Sequence, residues 1–96
     1  MTSKKGTRRT RKKRVEISCY APEAQSLNIA GSFNDWDLEQ TPMKKDEAGY
    51  WLVSLLLPKG RHEYRFVADG HWFSDQQADD SAPNPHGSHN SILVVA

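Results

Sequence analysis

An all-β sandwich is the fold class this sequence predicts. Three observations carry it: apolar residues recur at every second position, Gly and Pro punctuate the chain at short intervals, and no ten-residue stretch combines helical spacing with a capping signal. A length of 96 residues allows one compact domain, and a hydrophobic content of 36% is adequate for its core.

The chain begins with a basic segment. Lys4, Lys5, Arg8, Arg9, Arg11, Lys12, Lys13 and Arg14 supply 8 of the 13 basic residues, and all 12 acidic residues follow them. Residues 15–96 therefore hold 5 basic against 12 acidic groups, a formal −7 beside a tail of +8. Like charges mixed with Gly6 and Ser/Thr cannot bury apolar surface, so residues 1–14 are expected to be disordered and residues 15–96 to form the domain. Such a tail suits an acidic partner or nucleic acid. It also suits a solubilising leader, or an arm that folds back on its own acidic domain, since no aromatic interleaves the charges to read bases.

From Val15 the pattern alternates: Val15, Ile17, Cys19 and Ala21 point one way, Glu16, Ser18 and Tyr20 the other. Leu27 and Ile29 resume it after Pro22. "YWLVSLLLP" (50–58) is a longer apolar run ended by Pro58 and Gly60, "HEYRFVAD" (62–69) alternates again, and "NSILVVA" (90–96) closes the chain.

One hairpin can be registered by counting. Asp69-Gly70 is a preferred two-residue turn because both positions tolerate the positive φ that a type I′ geometry needs. Ala68 then faces His71, Val67 faces Trp72, Phe66 faces Phe73, and Arg65 faces Ser74. Tyr64, Phe66 and Phe73 share the core side, while Arg65, Val67 and Trp72 share the other, which must be the outer one because Arg65 resists burial without a partner.

Two tryptophans thus need an explanation: Trp72 on an outer sheet face, and Trp36 in the polar loop "GSFNDWD" (31–37). Half-buried aromatics can simply cover the end of a sandwich. They also form a stacking platform for a pyranose ring, whose C–H faces are flat and apolar, while Arg, Asn and Ser groups nearby take the hydroxyls. About 100 Å² of apolar area per ring, at roughly 25 cal/mol/Å², gives a few kcal/mol before ordering costs, hence modest affinity. Within the loop, Asn34 and Asp35 are expected to form the turn, Phe33 to join the core and Gly31 to serve backbone geometry.

"LNIAGSFNDWD", "YWLVSLLLPKGRHEYRFVADGHWFSD" and "PHGSHNSILVV", in this order, resemble carbohydrate-binding module family 48 over about residues 15–96. That family includes the glycogen-binding domain of the AMP-activated kinase beta subunit and the early-set domains of isoamylases and branching enzymes. The resemblance implies an immunoglobulin-like (early-set) sandwich that binds α-1,4-linked glucan. It implies stacking by Trp36 and Trp72, with Arg65 at a position held by lysine in kinase-type domains. It further implies polar contacts from Ser88, in place of a threonine, and from Asn90. His86 stands where kinase-type domains place a leucine that pierces the glucan coil, which implies a looser enclosure of the sugar.

Other chemistries fit less well. Asp79-Asp80 sit in a Pro/Ser/Asn-rich loop and Asp35 and Asp37 flank Trp36, where solvation explains them, so no catalytic carboxylate pair and no enzyme is expected. His86 and His89 are spaced for a helix but follow Pro83 and Pro85, so no metal or other cofactor is expected. The single Cys19 cannot form an internal disulfide, no apolar run reaches the roughly 18 to 20 residues of a membrane span, and no apolar leader opens the chain. A cytoplasmic protein with no membrane association is the expectation. The function classes left open are a glucan-binding module, a regulatory or interaction module using its basic arm, and an accessory domain related to glycoside hydrolase family 13 enzymes; fold alone does not choose.

Overall fold

Two antiparallel sheets pack face to face in the computed structural model, which describes residues 12–96. In chain order the strands are β1 (Lys12–Tyr20), β2 (Leu27–Gly31), β3 (Lys44–Lys45), β4 (Tyr50–Pro58), β5 (Gly60–Ala68), β6 (His71–Phe73), β7 (Asp80–Pro83) and β8 (His89–Val95), with a 3-10 turn at Ser32–Asn34 after β2. The smaller sheet runs β1-β4-β3 and the larger β2-β5-β8-β7, with β6 also on β5. The all-β sandwich expected from the alternation is the fold the chain adopts. Among the described residues no helix is long and apolar enough to cross a membrane.

Strand β1 starts earlier than expected. Lys12, Lys13 and Arg14, assigned above to the disordered tail, pair with Pro58, Leu57 and Leu56, so the boundary drawn at residue 14 moves to before Lys12. These cations remain exposed while their backbone pairs, as an edge strand allows. The expectation of disorder for residues 1–11 concerns positions outside the described residues. Further along the ladder, Val15↔Leu55, Ile17↔Val53 and Cys19↔Trp51 face inward, while Glu16↔Ser54, Ser18↔Leu52 and Tyr20↔Tyr50 face out.

The core lies between the sheets. Ile17, Trp51, Leu55 and Leu57 meet Leu27, Ile29, Tyr64, Phe66 and Val95, with Met43 closing from the connection after the 3-10 turn. A fully buried side chain such as Phe66 or Ile29 contributes roughly 1.5–3 kcal/mol relative to exposure. Phe33 is half-buried against this cluster, as expected. The third tryptophan, Trp51, satisfies its indole by donating to Ala21 O at 2.8 Å. The buried Tyr64 hydroxyl donates to Asp75 Oδ2 at 2.6 Å, and burial together with that carboxylate pushes the phenol well above its usual range. Asp75 N–H in turn donates to Ser91 Oγ at 2.8 Å, tying the loop after β6 to the middle of the larger sheet.

The counted hairpin register holds where it was most local: Ala68↔His71, Val67↔Trp72 and Phe66↔Phe73 all pair as expected. Asp69 and Gly70 have φ of 51° and 86°, the left-handed values the turn requires. The expected Arg65–Ser74 pair does not form. The ladder stops at Phe73, Ser74 Oγ donates instead to His89 O at 2.7 Å, and Arg65 pairs with Ala30 of β2.

Asp69 also fastens the start of β2: its carboxylate accepts from Gln25 N–H at 3.1 Å and Ser26 N–H at 2.9 Å. Those two backbone donors hold its pKa below the usual carboxylate value. A carboxylate whose pKa is lower folded than unfolded stabilises fully above its unfolded pKa, and that stability is lost as pH falls through the folded one. Urea unfolding of the wild type should therefore show a fall in midpoint as pH drops through the acid carboxylate range. Asp69→Asn should flatten the part of that fall lying below pH 4 or so, where an unperturbed Asp would already be protonating.

Candidate functional site

The outer face of the larger sheet, away from the core, is where the expected residues gather. Register places Ala30, Arg65, Val67, Trp72, Glu63, Asn90 and Ile92 on this side. Ala30, Val67 and Ile92 are 0%, 3% and 0% exposed, although they do not belong to the main core. Val67 was expected on an open surface with Trp72. Its face is as expected, but its exposure is not: it is 3% exposed, with the larger Trp72 directly opposite on the same face. The outer face thus has an apolar floor of its own.

Trp36 is brought to this face by the turn after β2. Asn34 is buried, and its Oδ1 accepts from Gly31 N–H at 2.9 Å while its Nδ2 donates to Ile29 O at 3.0 Å and Thr41 Oγ1 at 2.9 Å. Asn34 and Asp35 therefore form the turn as expected. Asp35 and Trp36 both take left-handed φ, 57° and 60°, a conformation uncommon outside glycine and costly for a bulky residue. The turn is closed by Trp36 N–H donating to Gly31 O at 2.9 Å. Gly31 is required by close approach rather than by torsion: its φ is an extended −166°, but a Cβ there would collide with Glu63 O and lie 2.7 Å from the Phe33 ring. The chain after the turn covers the edge of β2, with Ile29 N–H donating to Thr41 O at 3.1 Å and Met43 N–H to Leu27 O at 2.8 Å.

Five of the six expected residues, Trp36, Arg65, Trp72, His86 and Asn90, line one cleft of about 640 Å³. β5 runs down its middle, the Trp36 turn follows β2 on one flank, and the connection between β7 and β8 stands on the other. Trp72 is 39% exposed and Trp36 half-buried, so both indoles keep open surface. Arg65 carries a buried Nε that finds no hydrogen-bond partner among the described residues, an unsatisfied donor of the kind seldom left in a folded chain.

Ser88 is not brought into the cleft. Gly87, with a left-handed φ of 81°, turns the chain there, and Ser88 lies instead beside Ser74, His89 and Ser91. Its backbone closes the loop, accepting from Asn84 N–H at 2.9 Å.

Sequence reasoning missed Glu63, Asn84 and Pro85, which complete the wall. Glu63 was within reach, since it shares strand parity with Arg65 and Val67. Asn84 carried the signal of an Asx residue between two prolines. Its Oδ1 accepts from His86 N–H at 2.9 Å and Ser88 N–H at 3.1 Å, and its Nδ2 donates to Asn90 Oδ1 at 3.0 Å. Asn90 Nδ2 then donates to Glu63 Oε1 at 2.9 Å. This relay fixes the Asn90 amide orientation and ties the His86 backbone to the wall of the cleft.

Chemically, the cleft joins two aromatic faces to a guanidinium, a carboxylate and amides, the mixture a polyhydroxylated ring requires: flat apolar faces for its C–H groups and donors and acceptors for its hydroxyls. Among the described residues no group of three or more His, Cys, Asp or Glu is placed to hold a metal ion.

A family model described as the glycogen recognition site of AMP-activated protein kinase matches residues 16–96. The chain is 32% identical over 86 residues to the human 5'-AMP-activated protein kinase subunit beta-2, an alignment covering 90% of this chain and 30% of that protein. It is 29% identical over 86 residues to the amyloplastic phosphoglucan phosphatase of Castanea sativa, covering 88% of this chain and 23% of the relative. It is 33% identical over 75 residues to the chloroplastic protein PTST homolog 2 of Arabidopsis thaliana, covering 76% and 13%. The chain thus spans less than a third of each of these relatives. With the match running from the first strand to the last residue, the chain belongs to the glycogen-recognition domain family of AMP-activated protein kinase.

Proposed function

We propose that the cleft binds α-1,4-linked glucan without acting on it. Trp36 and Trp72 stack on pyranose rings, and Arg65, Asn90 and Glu63 take hydroxyls. The observation that carries this reading is the convergence of two open indoles, from separate elements, on one cleft that also holds an uncommitted guanidinium. His86 replaces an aliphatic wedge with a polar ring, so enclosure is looser and affinity modest. Hydrolysis of a glycosidic bond uses two carboxylates roughly 5 to 10 Å apart, whereas this cleft is lined by one, Glu63, which supports a binding module rather than an independent enzyme.

Titrating maltoheptaose or β-cyclodextrin while following tryptophan fluorescence should give a saturable change. A flat titration of folded protein would reject the reading.

A second activity is favoured by the charge asymmetry: the basic run serves as an arm for an acidic partner or nucleic acid, separate from the glucan cleft. Because Lys12–Tyr20 is strand, the informative truncation removes residues 1–11. It removes five of the eight cations and leaves the exposed Lys12, Lys13 and Arg14, so it should weaken salt-dependent retention on heparin and flatten its salt dependence while glucan affinity stays unchanged; loss of glucan binding on truncation would contradict the division.

A further inference from the structure

Trp72 and Phe73 are consecutive on β6 and point to opposite faces. Trp72 lines the cleft described above; Phe73 lines a second groove of about 390 Å³ on the other side of the β5–β6 hairpin, where β1, the edge of the smaller sheet, approaches the loop after β6. From these observations we propose that this groove is a second, independent contact surface for α-glucan, with Tyr20 and Tyr50 as its stacking rings. The proposal extends the glucan reading of the first cleft and rests on it.

The aromatic element is Tyr20 and Tyr50, paired across β1 and β4 with ring centroids 4.9 Å apart and planes tilted by 54°. They are 61% and 44% exposed, so both keep open surface while packed on each other. Cross-strand packing accounts for their contact with each other. It does not account for two large rings left open at the mouth of a groove whose other wall is hydroxyl- and amide-bearing: Ser74, Gln76 and Gln77.

Among the described residues neither tyrosine hydroxyl is engaged in a hydrogen bond, and neither glutamine side-chain amide is. The one carboxylate in the groove, Asp75, is already committed, accepting from the Tyr64 hydroxyl at 2.6 Å and from Gln77 N–H at 2.9 Å. The free groups are therefore neutral donors and acceptors beside aromatic faces, which fits an uncharged polyhydroxylated ring better than a phosphate or a charged peptide. A glucan polymer presents many equivalent segments, so a weak second contact on the same module raises retention on polymer without changing the affinity of the first cleft for a short oligosaccharide.

The test uses the full chain and maltotetraose, followed by NMR at the indole protons of Trp36 and Trp72 and the ring protons of Tyr20 and Tyr50. In the wild type both sets should shift with different saturation midpoints. In Trp36→Ala/Trp72→Ala the tyrosine shifts should persist. Tyr20→Leu/Tyr50→Leu, which keeps an apolar cross-strand pair and removes the rings, should leave the indole titration unchanged and weaken retention on amylopectin roughly tenfold. Tyrosine shifts that vanish with the tryptophans, or amylopectin retention equal to wild type in the leucine variant, would overturn the second surface while leaving the first cleft standing. Absence of both sets of shifts in the wild type would remove the glucan reading itself, and this proposal with it.

Discussion

Trp72→Ala is expected to lower affinity for maltoheptaose by roughly ten- to fiftyfold while costing only about 1 kcal/mol of stability. The two effects separate because Trp72 lines the cleft with 39% of its surface exposed, which leaves indole area for a sugar ring to cover and little for the protein to lose. Stacking one pyranose removes about 100 Å² of apolar surface from water, which at roughly 25 cal/mol/Å² is about 2.5 kcal/mol; ordering costs shared with the other contacts reduce what is observed. The small stability loss comes from Val67, which lies directly opposite and loses its large cross-strand neighbour. Calorimetric titration and urea unfolding of the same variant give both quantities. A variant with wild-type affinity, or one that unfolds before it can be titrated, would contradict the placement of this indole.

Asn34→Ala should do the reverse, damaging stability first and binding as a consequence. The side chain never enters the cleft, yet it answers three partners: Gly31 N–H, Ile29 O and Thr41 Oγ1. Alanine leaves a buried backbone donor and acceptor of β2 without partners, each costing about 1–3 kcal/mol, so a total loss of about 2–6 kcal/mol is expected. The same hydrogen bonds hold the turn that forces Asp35 and Trp36 into left-handed backbone geometry. Released from it, Trp36 relaxes toward ordinary torsions and leaves the cleft. Glucan affinity of the still-folded fraction should therefore fall several-fold, measured at a temperature well below the lowered unfolding midpoint, although the mutated residue touches no sugar. A stability loss with unchanged affinity would show that the Trp36 conformation is fixed by something other than this turn.

How far these features could be read from sequence depends on how local their cause is. The Asp69-Gly70 reversal was legible because two residues dictate its type and the type dictates register, so Trp72 and Phe73 were assigned to opposite faces by counting alone. β4 was legible from its apolar run and its proline stop. By contrast, β3 is only Lys44–Lys45 and exists because β4 offers it an edge, while β7, Asp80–Pro83, is a polar edge strand whose composition reads as loop. Neither carries a pattern of its own. The pairing of Lys12–Arg14 was hidden for the same reason, since charge described the side chains and said nothing of the backbone partner waiting at Leu56–Pro58.

Within the site, Trp36, Arg65, Trp72, His86 and Asn90 converge as expected, whereas Ser88 does not, because the left-handed Gly87 is a matter of loop geometry. Glu63 was missed because its importance arises from the β5–β8 pairing, a contact between segments distant in sequence; Asn84 acts through local bonds to His86, Ser88 and Asn90, and its signal, an Asx residue between two prolines, marks a turn rather than a site. The burial of Val67 likewise depends on the sizes of its neighbours in three dimensions and not on its parity.

Glucan binding in this cleft requires two particular indoles out of three to meet the sugar. Trp36, Trp51 and Trp72 each give one indole Nε1–H resonance, and Trp51 is committed to Ala21 O inside the core, which makes it an internal control. Titration of isotope-labelled protein with maltoheptaose should shift Trp36 and Trp72 along a common saturation curve and leave Trp51 in place. Stationary Trp36 and Trp72 signals at saturating sugar would contradict it, as would a response confined to Trp51.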